Sequence, residues 1–355
     1  MLSKFDIAGR LIGAGHPPYI IAEISGNHMG DINKAFALIE AAKTAGADAV
    51  KFQTYEAHTI TLNSDAPAFV VQEDLWKGKK LYELYEKAQT PFAWHEALFT
   101  KAAQVGITAF SAPFDHTAVE LLESLNCPAY KIASCELVDI PLLKRVAATQ
   151  KPVILSSGMA TEAEIEEALE ALRTNGAKHI ALLHCISGYP TPFTDANITT
   201  LAALAGKFSV PIGISDHTQG LSVPIAATAL RACIIEKHIC LDRASGAIDS
   251  AFSLEPSELA LMVQECRNAF DALGRVQLGP VASEADSLRF RRSLYFTEKI
   301  QAGEKITEKM VRSLRPAGGL HTRYLDEVIG KQAKDTIEAG TPVSWGLLNA
   351  EKKDG

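Results

Sequence analysis

Short apolar runs recur along the chain, and each closes on a polar residue. Eight of them read Tyr-Ile-Ile-Ala-Glu23, Asp-Ala-Val-Lys51-Phe-Gln53, Ile-Thr-Ala-Phe-Ser111, Ala-Tyr-Lys131-Ile-Ala-Ser134, Val-Ile-Leu-Ser156-Ser157, Ala-Leu-Leu-His184, Ile-Gly-Ile-Ser215-Asp216-His217 and Ile-Ile-Glu236-Lys237-His238. A short apolar run bounded by turn residues predicts a buried strand. Ending such a strand in Lys, Ser or His costs desolvation unless the polar group finds a partner or a use. Between the runs lie segments of helical period. After Val153–Ser157, Thr161 and Glu164 have the spacing of a capping box. Ile165, Ala168, Leu169 and Leu172 then fall on one helix face, and Asn175-Gly176 supplies a C-terminal stop. The next run, His179–Cys185, follows at once. Strand and helix alternating in this way predict a parallel sheet, and eight repeats predict an α/β fold, a closed (β/α)8 TIM barrel. Such barrels keep their chemistry where the strands end, so the eight polar ends predict one polar site at one rim.

Two stretches break the alternation. Thr54–Thr90 is longer than the other strand-to-helix connections and carries Leu75-Trp76-Lys77-Gly78 and Leu81-Tyr82-Glu83-Leu84-Tyr85. It is either a lid or binding loop, or a surface insertion packed on its own aromatics. Pro256–Leu273 reads as a last barrel helix, striped by Leu259, Met262, Val263 and Cys266. Gly279-Pro280 and Ser283–Arg292 then read as linker. The expected domains are residues 1–275, a linker 276–292 and a small, mostly β module 293–355. Ala302-Gly303-Glu304 and Ala339-Gly340-Thr341 form a weak internal echo within that module.

The 355 residues suffice for one large and one small domain, and an apolar content of 47% supports an ordinary core. Lys plus Arg, 35, against Asp plus Glu, 42, gives a net charge of −7. That balance argues against a general nucleic-acid binder but leaves room for a local cationic pocket. The cysteines, Cys127, Cys135, Cys185, Cys233, Cys240 and Cys266, form no C-x-x-C pair, and most sit in apolar runs. Reduced, buried thiols in a cytoplasmic protein are expected. Met1–Arg10 has no charged-then-apolar leader pattern, and no apolar run is long enough to cross a bilayer, so no membrane partner is expected.

His217 and His238 close consecutive strands, and neighbouring strands lie about 5 Å apart. Two imidazoles so placed can share one ion, in an open site completed by water or substrate oxygens. Either histidine alone is more simply a hydrogen-bonded rim residue. Lys51, Lys131, Ser134, Ser156 and Ser215 form a candidate phosphate set, point charges backed by hydroxyl donors. A lone strand-end lysine would snorkel to solvent; two beside three serines favour an anion. Lys51 and Gln53 share one strand face, which turns Val50 and Phe52 toward the helices. The same alternation points Glu236 and His238 inward and Lys237 outward, with nothing in the sequence to satisfy the Lys237 charge. Glu23 either orients a ligating histidine or a substrate hydroxyl, or pairs with Lys51.

These residues, in this order, resemble the sialic acid synthase family of nonulosonate synthases. The motifs are Glu23-Ile-Ser-Gly-Asn27-His28, Lys51-Phe-Gln53, Lys131-Ile-Ala-Ser134, Leu155-Ser156-Ser157-Gly158-Met159, His184-Cys185…Tyr189-Pro190-Thr191-Pro192, Gly213-Ile-Ser215-Asp216-His217-Thr218 and Glu236-Lys237-His238. The tail is similar to the family's antifreeze-like SAF domain, with Arg315-Pro316-Ala317-Gly318-Gly319 in place of its Arg-Pro-Gly turn. Within the family, Ile24-Ser25 and the stretch from Leu75 through Trp94-His95 resemble the branch that makes pseudaminic acid.

The resemblance implies a phosphoenolpyruvate (PEP) site at Lys51, Lys131, Ser134, Ser156 and Ser215, with Ser187 where sialic acid enzymes bind through an Asn. It implies that His217 and His238 hold a divalent ion, typically Mn2+ with Mg2+ or Co2+ as alternatives. The ion would polarise the C1 aldehyde of an open-chain N-acetylated sugar. C3 of PEP would attack that aldehyde, water would add at C2, and phosphate would leave by C–O cleavage. Glu23, Gln53, Tyr189 and Asp249 are implied near the sugar or the metal. Arg315 of the partner subunit is implied to grip the sugar in a domain-swapped homodimer. Ala112 stands where sialic acid synthases commonly carry a phosphate-touching Thr, so Ser111 or water is expected to substitute. The implied sugar is 2,4-diacetamido-2,4,6-trideoxy-altrose, its deoxy carbon and second acetamido group packed by Trp76–Tyr85. The alternatives are N-acetylneuraminic or legionaminic acid synthesis from N-acetylmannosamine or a diacetamido-mannose derivative.

Overall fold

The eight apolar runs are eight parallel strands: β1 (Tyr19–Glu23), β2 (Ala49–Thr54), β3 (Thr108–Pro113), β4 (Tyr130–Ile132), β5 (Val153–Ser156), β6 (Ile180–Cys185), β7 (Ile212–Asp216) and β8 (Ile234–His238). Each pairs with the next, and β8 pairs with β1, so the sheet closes into a barrel. This computed structural model describes residues 4–72 and 77–349. It divides into two compact units, Met1–Gly274 and Arg275–Gly355.

The strands are apolar on both faces because a parallel barrel is covered inside and out. Tyr19, Ile21 and Phe110 fill the interior, while the Phe52 ring meets Phe99 of the helix layer at 6.1 Å. The helix expected after β5 starts at its capping box. At Glu162–Thr174, Thr161 Oγ1 accepts from Glu164 N, and the Glu164 carboxylate accepts from Thr161 N at 2.7 Å. Asp31, Asp115 and Asp139 cap three others. A hairpin, Phe5–Ile7 with Arg10–Ile12, plugs the end where the strands begin; Phe5 stacks on His179, just before β6. The opposite end is left for chemistry.

The second unit has its own core, built from Leu294, Phe296, Ile300, Ile306, Val311, Val328 and Ile337 among others. Ser293–Phe296 pairs antiparallel with Val311–Leu314. The two echoed turns are alike in conformation, with Gly303 at φ 79 and Gly340 at φ 85. Residues 276–292, expected as linker, are exposed and carry a 3-10 stretch at Ala282–Phe290. All six cysteines are free, and all but Cys135 are buried. No described helix is long and apolar enough to cross a membrane.

Candidate active site

Strand alternation decides which polar ends meet. Glu23, Lys51, Lys131, Ser156, Ser215 and Glu236 take inward positions and are buried. Lys51 Nζ lies 2.8 Å from Glu23 Oε2, and Gln53 Nε2 donates to Glu23 Oε1 at 3.2 Å. One oxygen gathers the rest. Glu236 Oε1 accepts from Ser215 Oγ at 2.9 Å and Lys131 Nζ at 3.3 Å, with Lys51 Nζ at 3.6 Å.

Burial opposes every one of these charges, and their mutual attraction decides the outcome. Burial pulls Lys51 down, but Glu23 and Glu236 more than restore it. Lys131 stays below the usual lysine range because burial outweighs Glu236. Burial pushes Glu236 up, yet Lys131 and Lys51 hold it at about 2. Glu23 ends above the usual carboxylate range, raised by burial against the pull of Lys51. Two ammonium groups are thus kept in a water-poor rim by the carboxylates they face.

Beside them is a notch lined by hydroxyls. Gly158, just past β5, donates its N–H to Ser134 Oγ at 3.1 Å. A Cβ there would stand 2.6 Å from Ser134 Oγ and 2.3 Å from Ser187 Oγ. Ser156 Oγ and Ser187 Oγ are buried with no hydrogen-bond partner among the described residues. Unpaired buried hydroxyls are costly, and donors around a gap next to two lysines suit a phosphate. Gly158→Ala should therefore turn both serines away and raise the KM for a phosphate-bearing substrate about tenfold, the worth of one charge-assisted hydrogen bond. Phosphate-release kinetics check this; an unchanged KM in a folded variant would remove the notch from the site.

His217, just past β7, and His238, the last residue of β8, have ring centroids 5.3 Å apart. His217 Nδ1 donates to Ile186 O at 2.9 Å, so in the neutral ring the lone pair sits on Nε2; burial lowers its pKa, but Cys185 and Ile186 O more than offset that and raise it. Burial, then His217 and Lys51, drive His238 well below the usual histidine range, so its ring is neutral. Its Nδ1 meets Ser25 Oγ at 3.2 Å, with Asp249 Oδ2 at 3.9 Å. Ser25 is held left-handed, at φ 45, in the turn Ser25–His28. Asn27 Nδ2 locks that turn by donating to Ile239 O and Ser253 Oγ, both at 2.8 Å. Gly26 lets the chain pass, since a Cβ there would lie 3.2 Å from Ala88 Cα. Phe252 packs 5.0 Å from His238 and 5.7 Å from His217, and Tyr189 packs 4.6 Å from His217. Among the described residues no group of three or more His, Cys, Asp or Glu could hold a metal. Two imidazoles with an oriented tautomer and an aromatic wall fit a divalent ion that keeps positions open for water or substrate.

Not every polar end joins the site, which corrects the expectation of eight convergent ends. His184 Nε2 donates to Ala196 O at 2.8 Å on the helix side. Ser111 Oγ lies 2.6 Å from Thr54 Oγ1, itself 2.8 Å from His95 Nε2. Ser111 pairs in register with outward-facing Phe52, so it does not replace the missing threonine; Ala112 takes the inward place. Lys237 points outward, and Asp216 Oδ2, 2.6 Å from its Nζ, satisfies its charge. Tyr189 is 41% exposed. Arg315 is exposed at the end of Val311–Leu314 in the second unit. Leu75 and Trp76 lie outside the described residues; Tyr85 packs on Tyr55 at 6.0 Å, and Tyr55 on Phe114 at 5.0 Å. Three residues of the cluster lie outside the expected set. Glu236 is the hub of the lysines, Cys185 Sγ is 3.9 Å from His217 Nδ1, and Phe252 is the wall. Cys185, in register with inward Ser215, turns inward because His184 before it turns outward; Phe252 sits in a loop with no periodic signal.

Residues 38–277 match the NeuB family, and residues 291–349 match the SAF domain. A pseudaminic acid synthase of Helicobacter pylori is 44% identical over 330 residues, 92% of this chain and 97% of that protein. An N,N'-diacetyllegionaminic acid synthase of Campylobacter jejuni is 38% identical over 317 residues, 88% of this chain and 95% of that protein. The crystal structure of an N-acetylneuraminic acid synthetase from Leptospira borgpetersenii, in complex with citrate, superposes with a TM-score of 0.72 at 35% identity, covering 81% of this chain and 96% of that one. With a closed eight-stranded barrel, a polar rim of lysines and paired histidines, and a separate C-terminal unit, this chain belongs to the NeuB family and carries a SAF domain.

Proposed function

We propose that this chain is a pseudaminic acid synthase, joining PEP to 2,4-diacetamido-2,4,6-trideoxy-altrose with release of phosphate. The observation that carries it is the convergence of Lys51 and Lys131 on Glu236 Oε1, on the same rim as the His217–His238 pair. The reaction brings an anion to an electrophile, so it needs two cationic loci side by side. Preorganised charge in a dry site is worth several kcal/mol to such a step. The relative of Helicobacter pylori, 44% identical, supports the product.

The lysines take the phosphate, and Ser134, Ser156 and Ser187 donate into the notch at Gly158. His217 and His238 would hold a divalent ion, Mn2+ by preference, which would supply Lewis-acid polarisation of the sugar aldehyde. The bond formed joins C3 of PEP to C1 of the sugar. Water adds at C2, the C2–O bond of the phosphate ester breaks, inorganic phosphate leaves, and the two water protons pass to the former aldehyde oxygen and to the phosphate. Glu23, aligned by Gln53, accepts a hydrogen bond from the sugar or the incoming water. Ser25 holds His238 Nδ1, with Asp249 beside it, and Tyr189 borders the sugar. The reaction runs in the cytoplasm, consistent with six free thiols. Phosphate release from PEP, assayed with Mn2+ and the altrose, N-acetylmannosamine or a diacetamido-mannose derivative, tests the proposal. Release with the altrose alone is expected; release only with another sugar moves the chain to another branch, and none with any sugar removes the synthase.

Arg315 acts from the partner subunit of a domain-swapped homodimer. Arg315→Ala should raise the sugar KM about tenfold, as for loss of one hydrogen bond from a charged group, and leave the PEP KM alone. Mixed and refolded His238→Ala and Arg315→Ala chains should regain activity, because one site of the mixed dimer is intact. No regain would place Arg315 in its own chain's site or nowhere near one.

A further inference from the structure

Cross-strand pairs along β7 and β8 alternate between the two faces of the barrel wall. Ser215 and Glu236 are in register and bonded inward; Asp216 and Lys237, the next pair, are in register and ion-paired outward at 2.6 Å. His217 and His238, the next again, return inward with rings 5.3 Å apart. The outward pair is thoroughly dry, with Lys237 at 0% and Asp216 at 4% exposure. It also reaches forward along the chain. Asp216 Oδ1 accepts from Thr218 N at 3.0 Å, Asp216 Oδ2 accepts from Thr218 Oγ1 at 3.1 Å, and Lys237 Nζ donates to Thr218 O. Thr218 thus has its N–H, its carbonyl and its hydroxyl all tied to one ion pair. His217 is the residue between Asp216 and Thr218, so its backbone is fixed from both sides. His238 is the neighbour of Lys237.

A buried ion pair gains little stability over apolar residues of similar volume. What this one fixes is geometry: the strand register and the chain direction on either side of one imidazole. We propose that Asp216, Lys237 and Thr218 are positioning residues that set, from the back of the sheet, the spacing and direction of the two metal-binding imidazoles. The inference rests on the metal reading given above. Groups that orient metal ligands typically change metal affinity 10- to 100-fold, by about that factor, when removed.

The test compares wild type with the double variant Asp216→Asn/Lys237→Met, which removes both charges and keeps an acceptor for Thr218 N–H. Mn2+ affinity of the metal-free protein is read by paramagnetic resonance of free Mn2+. PEP affinity is read by calorimetry without metal, and folding by circular dichroism. The expected result is an Mn2+ dissociation constant weakened by about 10- to 100-fold with PEP affinity unchanged. Unchanged Mn2+ affinity, or PEP affinity falling alongside it, overturns the proposal. Thr218→Val keeps the ion pair and its volume and loses only the hydroxyl bond. It should weaken Mn2+ in the same direction, and it decides the matter if the double variant does not fold. Wild type is measured first, because wild type that binds no Mn2+ overturns the metal reading itself and the clamp with it.

Discussion

Lys131→Met should lower kcat/KM for PEP about 1,000-fold, equivalent to about 4 kcal/mol of transition-state stabilisation. Lys131 is one of two ammonium groups aimed into the rim, and methionine keeps its stem while deleting the charge. The departing phosphate would then face Lys51 alone, which Glu23 already engages at 2.8 Å. Glu236 would lose one of its three donors but keep Ser215 and Lys51. The structural cost should therefore sit at the low end for breaking a buried pair, about 3 kcal/mol. Phosphate-release kinetics and a thermal melt on the same sample separate the two effects. A folded variant losing less than about tenfold would show that Lys131 does not meet the phosphate.

His238→Ala should bring activity down by at least about 1,000-fold and remove bound Mn2+, with the barrel intact. The ring is neutral, so no buried charge is orphaned. What is lost is contact with Ser25 and Phe252, about 1–3 kcal/mol. His184→Ala is the matched control. His184 also sits near a strand end, but its ring bonds Ala196 O on the helix side. It should cost about 1 kcal/mol of stability and leave turnover and metal content unchanged. Equal effects of the two substitutions would mean that a histidine near the rim matters only for folding.

The contrast between these histidines shows how far the sequence reaches. All eight strands were legible because each is a short apolar run, and the capping box at Thr161 and Glu164 forms as its spacing predicts. Period two also turned Lys51 and Gln53 inward and Phe52 toward the helices. Cross-strand register was not legible, and register is what sends Ser111 to the back of the sheet, beside Thr54 and His95. It is also what sets Asp216 opposite Lys237, a charge with no visible partner in one strand alone. Loops carry no period, so the left-handed Ser25 under His238 and the Phe252 wall needed the folded chain. Glu236 was read as inward but not as the oxygen on which both lysines converge.

A phosphate held beside a cation at one barrel rim is tested most directly by phosphorus NMR of bound PEP. Protein loaded with Mn2+ should broaden the PEP resonance far more than protein loaded with diamagnetic Mg2+, and His238→Ala should bind PEP without that broadening. A resonance indifferent to Mn2+, in wild-type protein that demonstrably holds both the ion and PEP, would separate the two sites and contradict the shared rim.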